Sequence, residues 1–360
     1  MNLNKDAMAK GFLEDLLELT SQNLPLMELK EHYKFVKELG RGSYGRVLLV
    51  THRLRGTPMA LKLMPKNKTK LHSFLQEYCI SLCLSSHPGF VNAFGIIFET
   101  KCQYGFAQET AVAKDLFSIL EPGVGIPEAA AKRCAVQVAN ALEFMHSKGL
   151  VHRDIKPDNV LLYDRDCHQV KLTDFGLTCL RGTAVKPLSG TLPYTAPEMC
   201  QLSTSESLSA EPSLDIWAFG VLLFCLVTGF FPWDRCIYTD PNFKLFCSWQ
   251  KRGITFDIPS LWMKPSVNSL PLFRNLLMIN PLQRSPAGEI HHFLRVQWKL
   301  NTVKQYTRVD NANFLQKSEN KNKLLFLNDN LQTPDASSTS IQEVPCVFSH
   351  AIEKNSKWTH

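Results

Sequence analysis

What the chain lacks narrows the field first. Its eleven cysteines, an odd number, include no C-x-x-C pair and no Cys/His spacing of the zinc type, so neither a disulfide framework nor a structural zinc site is indicated. The closest pair, Cys79 and Cys83, falls on one face of a helix pattern, where a free thiol behaves as a small apolar group, and a reducing, cytoplasmic setting is expected. No long block of one charge sign occurs. The 40 basic residues are offset by 33 acidic ones, and a net +7 over 360 residues leaves no nucleic-acid footprint. A signal peptide is not expected, because Glu14, Asp15 and Glu18 interrupt any apolar stretch near the N-terminus. There is no internal repeat and no P-x-x-P.

One charge-free run, Ile216 to Trp233, meets the length rule for a membrane span. Asp215 precedes it, Gly220, Thr228, Gly229 and Pro232 break it up, and no basic flank orients it. A helix buried in a large domain is expected instead, with no membrane span.

With 44% hydrophobic and 20% charged residues the chain is an ordinary globular one, long enough for two lobes and extensions. Residues 1–32 form a leader in which Phe12, Leu13, Leu16, Leu17 and Leu19 recur at helical spacing, predicting a short amphipathic helix packed on the protein's own surface. Alternating runs at Phe35–Leu39, Val47–Thr51 and Met59–Leu63 predict an antiparallel meander, with Gly56 at its second turn. A helix over Leu71–Leu84 and strands near Ala93–Phe98 and Tyr104–Gln108 complete a small lobe, residues 33–109. Helices dominate residues 110–298, at Ala129–Lys148 and around Leu223 and Leu276. The polar tail, 299–360, has apolar residues only in small clusters such as Leu324–Leu327 and is expected to lack fixed structure.

The run His152-Arg153-Asp154-Ile155-Lys156-Pro157-Asp158-Asn159 carries the most information. It resembles the catalytic loop of serine/threonine protein kinases, in which an aspartate positions a hydroxyl nucleophile and an asparagine five residues on holds a metal ion. The rest of the set is present in order. Gly40, Gly42 and Gly45 stand with Val47 in G-x-G-x-x-G-x-V, and a strand rather than a helix follows, which separates this loop from a dinucleotide site. Lys62 ends the apolar run Met59-Ala60-Leu61-Lys62, and Glu77 is the one acidic residue between it and Glu99 that can pair with it. Leu172-Thr173-Asp174-Phe175-Gly176 and Gly190-Thr191-Leu192-Pro193-Tyr194-Thr195-Ala196-Pro197-Glu198 follow.

The resemblance covers Tyr33 to Trp298 and implies a bilobal α+β protein kinase fold, ATP and Mg²⁺ as cofactors, and protein substrates with Ser or Thr acceptors. Lys156, two residues after Asp154, points to serine/threonine specificity. More narrowly, Gly40-Arg41-Gly42-Ser43-Tyr44-Gly45 and Arg55 to Lys62 look like the Src-homology-3-domain-binding kinase family, although the missing P-x-x-P argues against carrying that partner over.

By this resemblance Asp154, Lys156, Lys62 and Thr191 are the catalytic set, with Asn159 and Asp174 as metal ligands. Leu39, Gly40, Arg41, Gly42, Ser43, Tyr44, Gly45, Arg46, Val47, Ala60, Lys62, Glu77, Glu109, Ala111, Asp115 and Leu161 would line the nucleotide site. Within it Val47, Ala60 and Leu161 would sandwich adenine, backbone groups of Glu109 and Ala111 would bind its edge, and Asp115 would reach the ribose. Gln108 stands at the back of the pocket. Glu198 should pair with Arg284, and Asp215 should brace the catalytic loop.

The activation segment departs from the pattern. Pro187 occupies the usual phosphoacceptor position, and Arg153 has no carboxylate to replace that phosphate between Asp174 and Glu198, where Arg181 and Lys186 only add positive charge. Either phosphate on Ser189 or Thr183 orders the loop, or the loop is active unmodified. The competing reading for the whole chain is a scaffold that keeps the fold without the chemistry. Intact Lys62, Glu77, Asp154, Asn159 and Asp174 count against it. A membrane receptor would need a span outside residues 33–298, and none is found.

Overall fold

Period-two alternation between Tyr33 and Gln108 builds one antiparallel sheet. Its strands are β1 (Tyr33–Gly42), β2 (Gly45–His52), β3 (Pro58–Pro65), β4 (Ala93–Glu99) and β5 (Gln103–Gln108), in the order β1-β2-β3-β5-β4. The computed structural model describes residues 2–300 apart from 43–44, 112, 188–191 and 254–256, with residues 2–10 as backbone alone. Leu48, Val50, Met59, Leu61 and Leu63 bury one side of the sheet with Leu29 and Tyr33. Alternation turns Ala60, Lys62 and Met64 the other way, toward the helix α3 (Leu71–Leu84). Phe74 and Tyr78 seat that helix on the sheet, at 4.9 Å from Tyr104 and 5.6 Å from Phe106 between ring centres.

Before the sheet come α1 (Asn2–Gln22) and the single turn α2 (Leu29–His32). The leader helix is thus longer than a short one, and only part of its apolar set is used: Leu13 is buried, Leu16 and Leu17 pack against the core, and Phe12 and Leu19 are exposed.

Past Gln108 the chain becomes helical. The main elements are α4 (Glu128–Ser147), α5 (Pro197–Cys200), α6 (Pro212–Thr228), α7 (Pro241–Arg252) and α8 (Leu270–Leu276). Short strand pairs lie between them: β6 (Leu150–Val151) with β9 (Cys179–Leu180), β7 (Val160–Leu162) with β8 (Val170–Leu172), and β10 (Ala184–Val185) with β11 (Leu208–Ser209). The helix expected around Leu276 instead ends there, because Leu277 leaves helical backbone at φ −102°, ψ 34°, before Pro281 is reached.

The charge-free run is a buried helix. Every residue of α6 from Leu214 to Thr228 is buried, and among the described residues no helix is long and apolar enough to cross a membrane. Burial of each large apolar side chain stabilises by roughly 1.5–3 kcal/mol, which outweighs the mixed propensity of its β-branched and aromatic residues. Gly229, at φ 68°, ends α6, and a Cβ there would sit 2.3 Å from Glu121 O. Trp233 stacks on Trp217 and donates its indole N–H to Pro193 O at 3.0 Å, tying the segment before α5 to this core.

Arg284 locks the same region. Its wholly buried guanidinium forks onto both Glu198 oxygens at 2.6 Å and also donates to Ser213 O and Met278 O. Removing one partner strands a buried charge, so Glu198→Ala should lower stability by about 3–5 kcal/mol in urea unfolding, and a loss under about 1 kcal/mol would mean the pair is not structural.

Candidate active site

Three charged side chains from separate elements meet where the lobes join. Lys62 comes from β3, Glu77 from α3, and Asp174 from the turn after β8. Lys62 Nζ donates to Glu77 Oε1 and, at 2.9 Å, to Asp174 Oδ1. Burial would push the Lys62 ammonium down, but Asp174 and Glu77 outweigh it and hold its pKa above the ordinary lysine value. The Lys62 charge in turn lowers the Asp174 carboxyl to about 2, against the effect of its own burial. Asp174 has φ 64°, a left-handed backbone that a non-glycine residue keeps only where its surroundings hold it.

The catalytic-loop run follows β6. Arg153 is also left-handed, at φ 69°, and the strain is offset by Asp215 near the start of α6, whose buried carboxylate accepts from His152 N at 2.8 Å and Arg153 N at 2.7 Å. Burial raises the Asp215 pKa, but a 2.8 Å contact with His146 Nε2 and the loop N–H groups more than offset this and leave it lowered. His152 is buried too: Nδ1 accepts from Asp154 N at 3.2 Å, and its ring meets Phe175 at 5.5 Å.

Within that frame Asp154 is held on one side only. Its Oδ2 accepts from Asn159 Nδ2 at 2.8 Å and from Lys156 Nζ at 3.0 Å, and Asn159 Nδ2 also donates to Asp154 O at 2.8 Å. Asp154 Oδ1 is buried and has no hydrogen-bond partner among the described residues. Two cavities share this residue. One brings Asp154 together with Asp174, Gly176 and Glu77 beside Lys68, Lys70 and Ser73, and the other runs from Asp154 beneath Tyr194–Ala196 to Met199.

The glycine hairpin lies across β1 and β2, with Gly40, Arg41 and Gly42 opposite Val47, Arg46 and Gly45. A Cβ on Gly45 would sit 2.2 Å from Leu63 O, so packing against β3 requires that glycine, while Gly40 and Gly42 face open space that a ligand could enter. Leu39 is exposed, Arg41 pairs with Glu38 at 2.9 Å and Arg46 donates to Gln103 at 3.4 Å. Ser43, Tyr44 and Thr191 lie outside the described residues.

Ala60 is paired across the sheet with Gln108, and Leu161 of β7 bridges Asp115. Glu109 spends its N–H on Asn92 O at 2.9 Å, which leaves its carbonyl as the backbone group for a base edge. Its carboxylate accepts from Asn92 N at 2.7 Å and from Lys171 Nζ. Asp115 Oδ1 caps the turn Leu116–Ile119 through Ser118 N at 2.8 Å, so one oxygen remains for a sugar hydroxyl. Ala111 is half-buried.

In the activation segment Arg153 Nη1 donates to Leu177 O at 3.1 Å. Arg181 does not merely add positive charge: it pairs with Glu211 at 2.7 Å, a residue beyond the segment. Thr183 is exposed just before β10, and Ser189 lies outside the described residues. Sequence reasoning missed the His146 contact to the buried Asp215 and the Lys171–Glu109 ion pair, which join residues 69 and 62 apart with no local pattern to mark them.

The depressed Asp174 pKa has a measurable sign. Its ion pair contributes stability that is complete above the unfolded carboxylate value near ~3.9 and is lost as pH falls toward about 2. Lys62→Met should therefore flatten the fall in urea-unfolding stability between pH 5 and pH 3, and an unchanged slope would contradict the pairing.

The residues gathered here fit what known proteins contain. A family model described as the protein kinase domain matches residues 33–298. The serine/threonine-protein kinase SBK1 of Danio rerio is 49% identical over 294 residues, covering 82% of this chain and 76% of that protein. SBK2 of Homo sapiens is 46% identical over 299 residues, covering 82% and 86%, and the serine/threonine-protein kinase meng-po of Drosophila melanogaster is 33% identical over 300, covering 82% and 65%. With its site assembled in the order and geometry described, the chain belongs to the protein kinase family, as a serine/threonine kinase similar to SBK1 and SBK2.

Proposed function

We propose that Asp154 is the base in transfer of the ATP γ-phosphoryl group to a serine or threonine hydroxyl of a protein substrate, with Asn159 and Asp174 as the magnesium ligands. One observation carries this reading: Asp154 Oδ2 is fixed by Asn159 and Lys156 while the buried Oδ1 has no partner among the described residues. A buried carboxylate oxygen without a donor is costly, and an incoming hydroxyl supplies one. The cavity beneath Tyr194–Ala196 would lead a substrate chain to that oxygen, and the second cavity, lined by Lys68, Thr69, Lys70 and Ser73 as well as Glu77 and Asp174, opens Asp154 toward the start of α3.

The donor set suits a hard cation bound to phosphate. Asn159 commits its amide N–H₂ to Asp154, leaving its amide oxygen, and Asp174 keeps Oδ2 as an oxygen ligand while Oδ1 receives Lys62. Magnesium there would neutralise charge on the phosphates. Lys62, kept protonated by its two carboxylates, would clamp the phosphates further from the reacting bond, and Lys156 would steady the phosphoryl group being transferred. Thr191 would hydrogen-bond beside both. Val47, Ala60 and Leu161 would enclose the adenine ring, with the Glu109 carbonyl and Ala111 at its edge and Asp115 at the ribose. Lys62 and Glu77 are already paired, and Arg153 already donates to Leu177 O of the activation segment, which supports a loop active without phosphate on Ser189 or Thr183.

Ten described cysteines are free thiols, which supports a reducing compartment such as the cytoplasm. Src-homology-3 binding is not part of this reading, because the sequence offers no P-x-x-P.

Purified protein with Mg-ATP should phosphorylate serine and threonine positions of a peptide array, and Asp154→Asn should lower the rate by roughly 10²–10⁴-fold while nucleotide still binds. Equal incorporation by both proteins would remove Asp154 from the chemistry. Phosphatase treatment of the parent enzyme should leave its rate undiminished, and a collapse in rate would return the role to a phosphorylated loop.

A further inference from the structure

Helix α1 lies outside the residues matched by the kinase-domain family model, yet it is packed on the helix that carries Glu77. Leu13, Leu16, Leu17 and Thr20, at i, i+3, i+4 and i+7, form its inner face. Leu13 is buried, and Leu16 and Leu17 pack against the same extended core that takes in Phe74, Leu75, Tyr78 and Cys79 of α3, the helix that α1 contacts. Thr20 Oγ1 reaches Cys79 Sγ at 3.7 Å. The outer residues Phe12 and Leu19 are 63% and 60% exposed.

Beyond its C-terminal end the segment is fastened to the sheet. Glu99 N donates to Pro25 O at 2.9 Å and Met27 N to Glu99 O at 2.8 Å, a pairing with the end of β4. Helix α3 is therefore held between α1 on one side and Tyr104 and Phe106 of β5 on the other. Cys79 is two residues past Glu77, roughly 200° around the helix, so the side of α3 that meets Thr20 lies opposite the side that carries Glu77 to Lys62. Such support is needed, because burial disfavours the Glu77 carboxylate and pushes its pKa up. On the large-lobe side, the bond from Gln76 Nε2 to Thr178 O at 3.0 Å holds α3 from below.

We propose that α1 is a built-in positioning element for phosphoryl transfer, whose Leu13, Leu16, Leu17 and Thr20 face holds α3 where Glu77 meets Lys62. The proposal rests on the kinase reading given above. It acts through Glu77 and touches neither nucleotide nor substrate.

A double-mutant cycle in the full chain tests it. Leu13→Asp/Leu17→Asp should lower kcat/KM for ATP at least about tenfold, as Glu77→Gln does, and the combined variant should be no slower than Glu77→Gln alone. Phe12→Asp/Leu19→Asp, on the outer face, should keep the parent rate. Amide hydrogen exchange should rise over residues 71–84 in the inner-face variant only, a readout that needs no turnover. If the aspartates prevent folding, Leu13→Ala/Leu17→Ala runs the same cycle, with Leu13→Met restoring activity. An inner-face variant at the parent rate, or losses that multiply with Glu77→Gln, would overturn the proposal. A parent protein with no transfer at all would instead sink the kinase chemistry, leaving the exchange result to judge α1.

Discussion

Everything at the lobe junction hangs on a lysine that cannot stay buried alone. Lys62 comes from the middle of the sheet, and two carboxylates from elsewhere in the chain, Glu77 and Asp174, compensate its charge. Neither partner is cheap to supply. Glu77 is buried on α3, and Asp174 keeps a left-handed backbone, so each depends on packing well away from the charges. The triad joins sheet, helix and the turn after β8 at one nitrogen, and displacement of any of the three disturbs the other two.

A second buried charge does the same for the large lobe. Asp215 sits near the head of the buried, largely apolar helix α6 and accepts from consecutive backbone N–H groups of His152 and Arg153. This fixes the loop from the core side, so Asp154 projects with one oxygen anchored by Asn159 and Lys156 and the other without a donor. Trp233 and Arg284 carry the same core outward, to Pro193 and to Glu198, on the segment that would face a protein substrate. Rigid scaffold and partnerless oxygen are thus one connected construction. That is how a fold with little covalent work to do can make positioning its main contribution.

Much of this could be read from the chain. The strand alternation around β2 and β3 and the helix Leu71–Leu84 emerged from local periodicity, since each element buries one face against a single partner layer. The gathering of the candidate site was legible because Lys62, Asp154, Asn159 and Asp174 stand in short motifs, and Glu77 is the sole acidic residue in its interval. What stayed hidden is long-range. The two-residue and three-residue strands β6 to β11 are too short to carry a period, and the helix before Pro281 stops earlier than its apolar pattern suggests. His146 with Asp215 and Lys171 with Glu109 have no spacing to betray them. Gly45 looked like a phosphate-loop glycine, but β3 already forbids a side chain there. The leader's leucines announced a helix without saying which of them faced inward.

If Asp154 is the base, its partnerless Oδ1 receives the substrate hydroxyl. A crystal structure of the protein with magnesium, a non-hydrolysable ATP analogue and a serine peptide drawn from the preferred sequences tests it most directly. The serine Oγ should lie about 2.6–3.2 Å from Asp154 Oδ1, with the metal on Asn159 and Asp174 and Oδ2 still held by Lys156. A hydroxyl directed at another group, with Oδ1 bonded to the protein or to solvent, would contradict it.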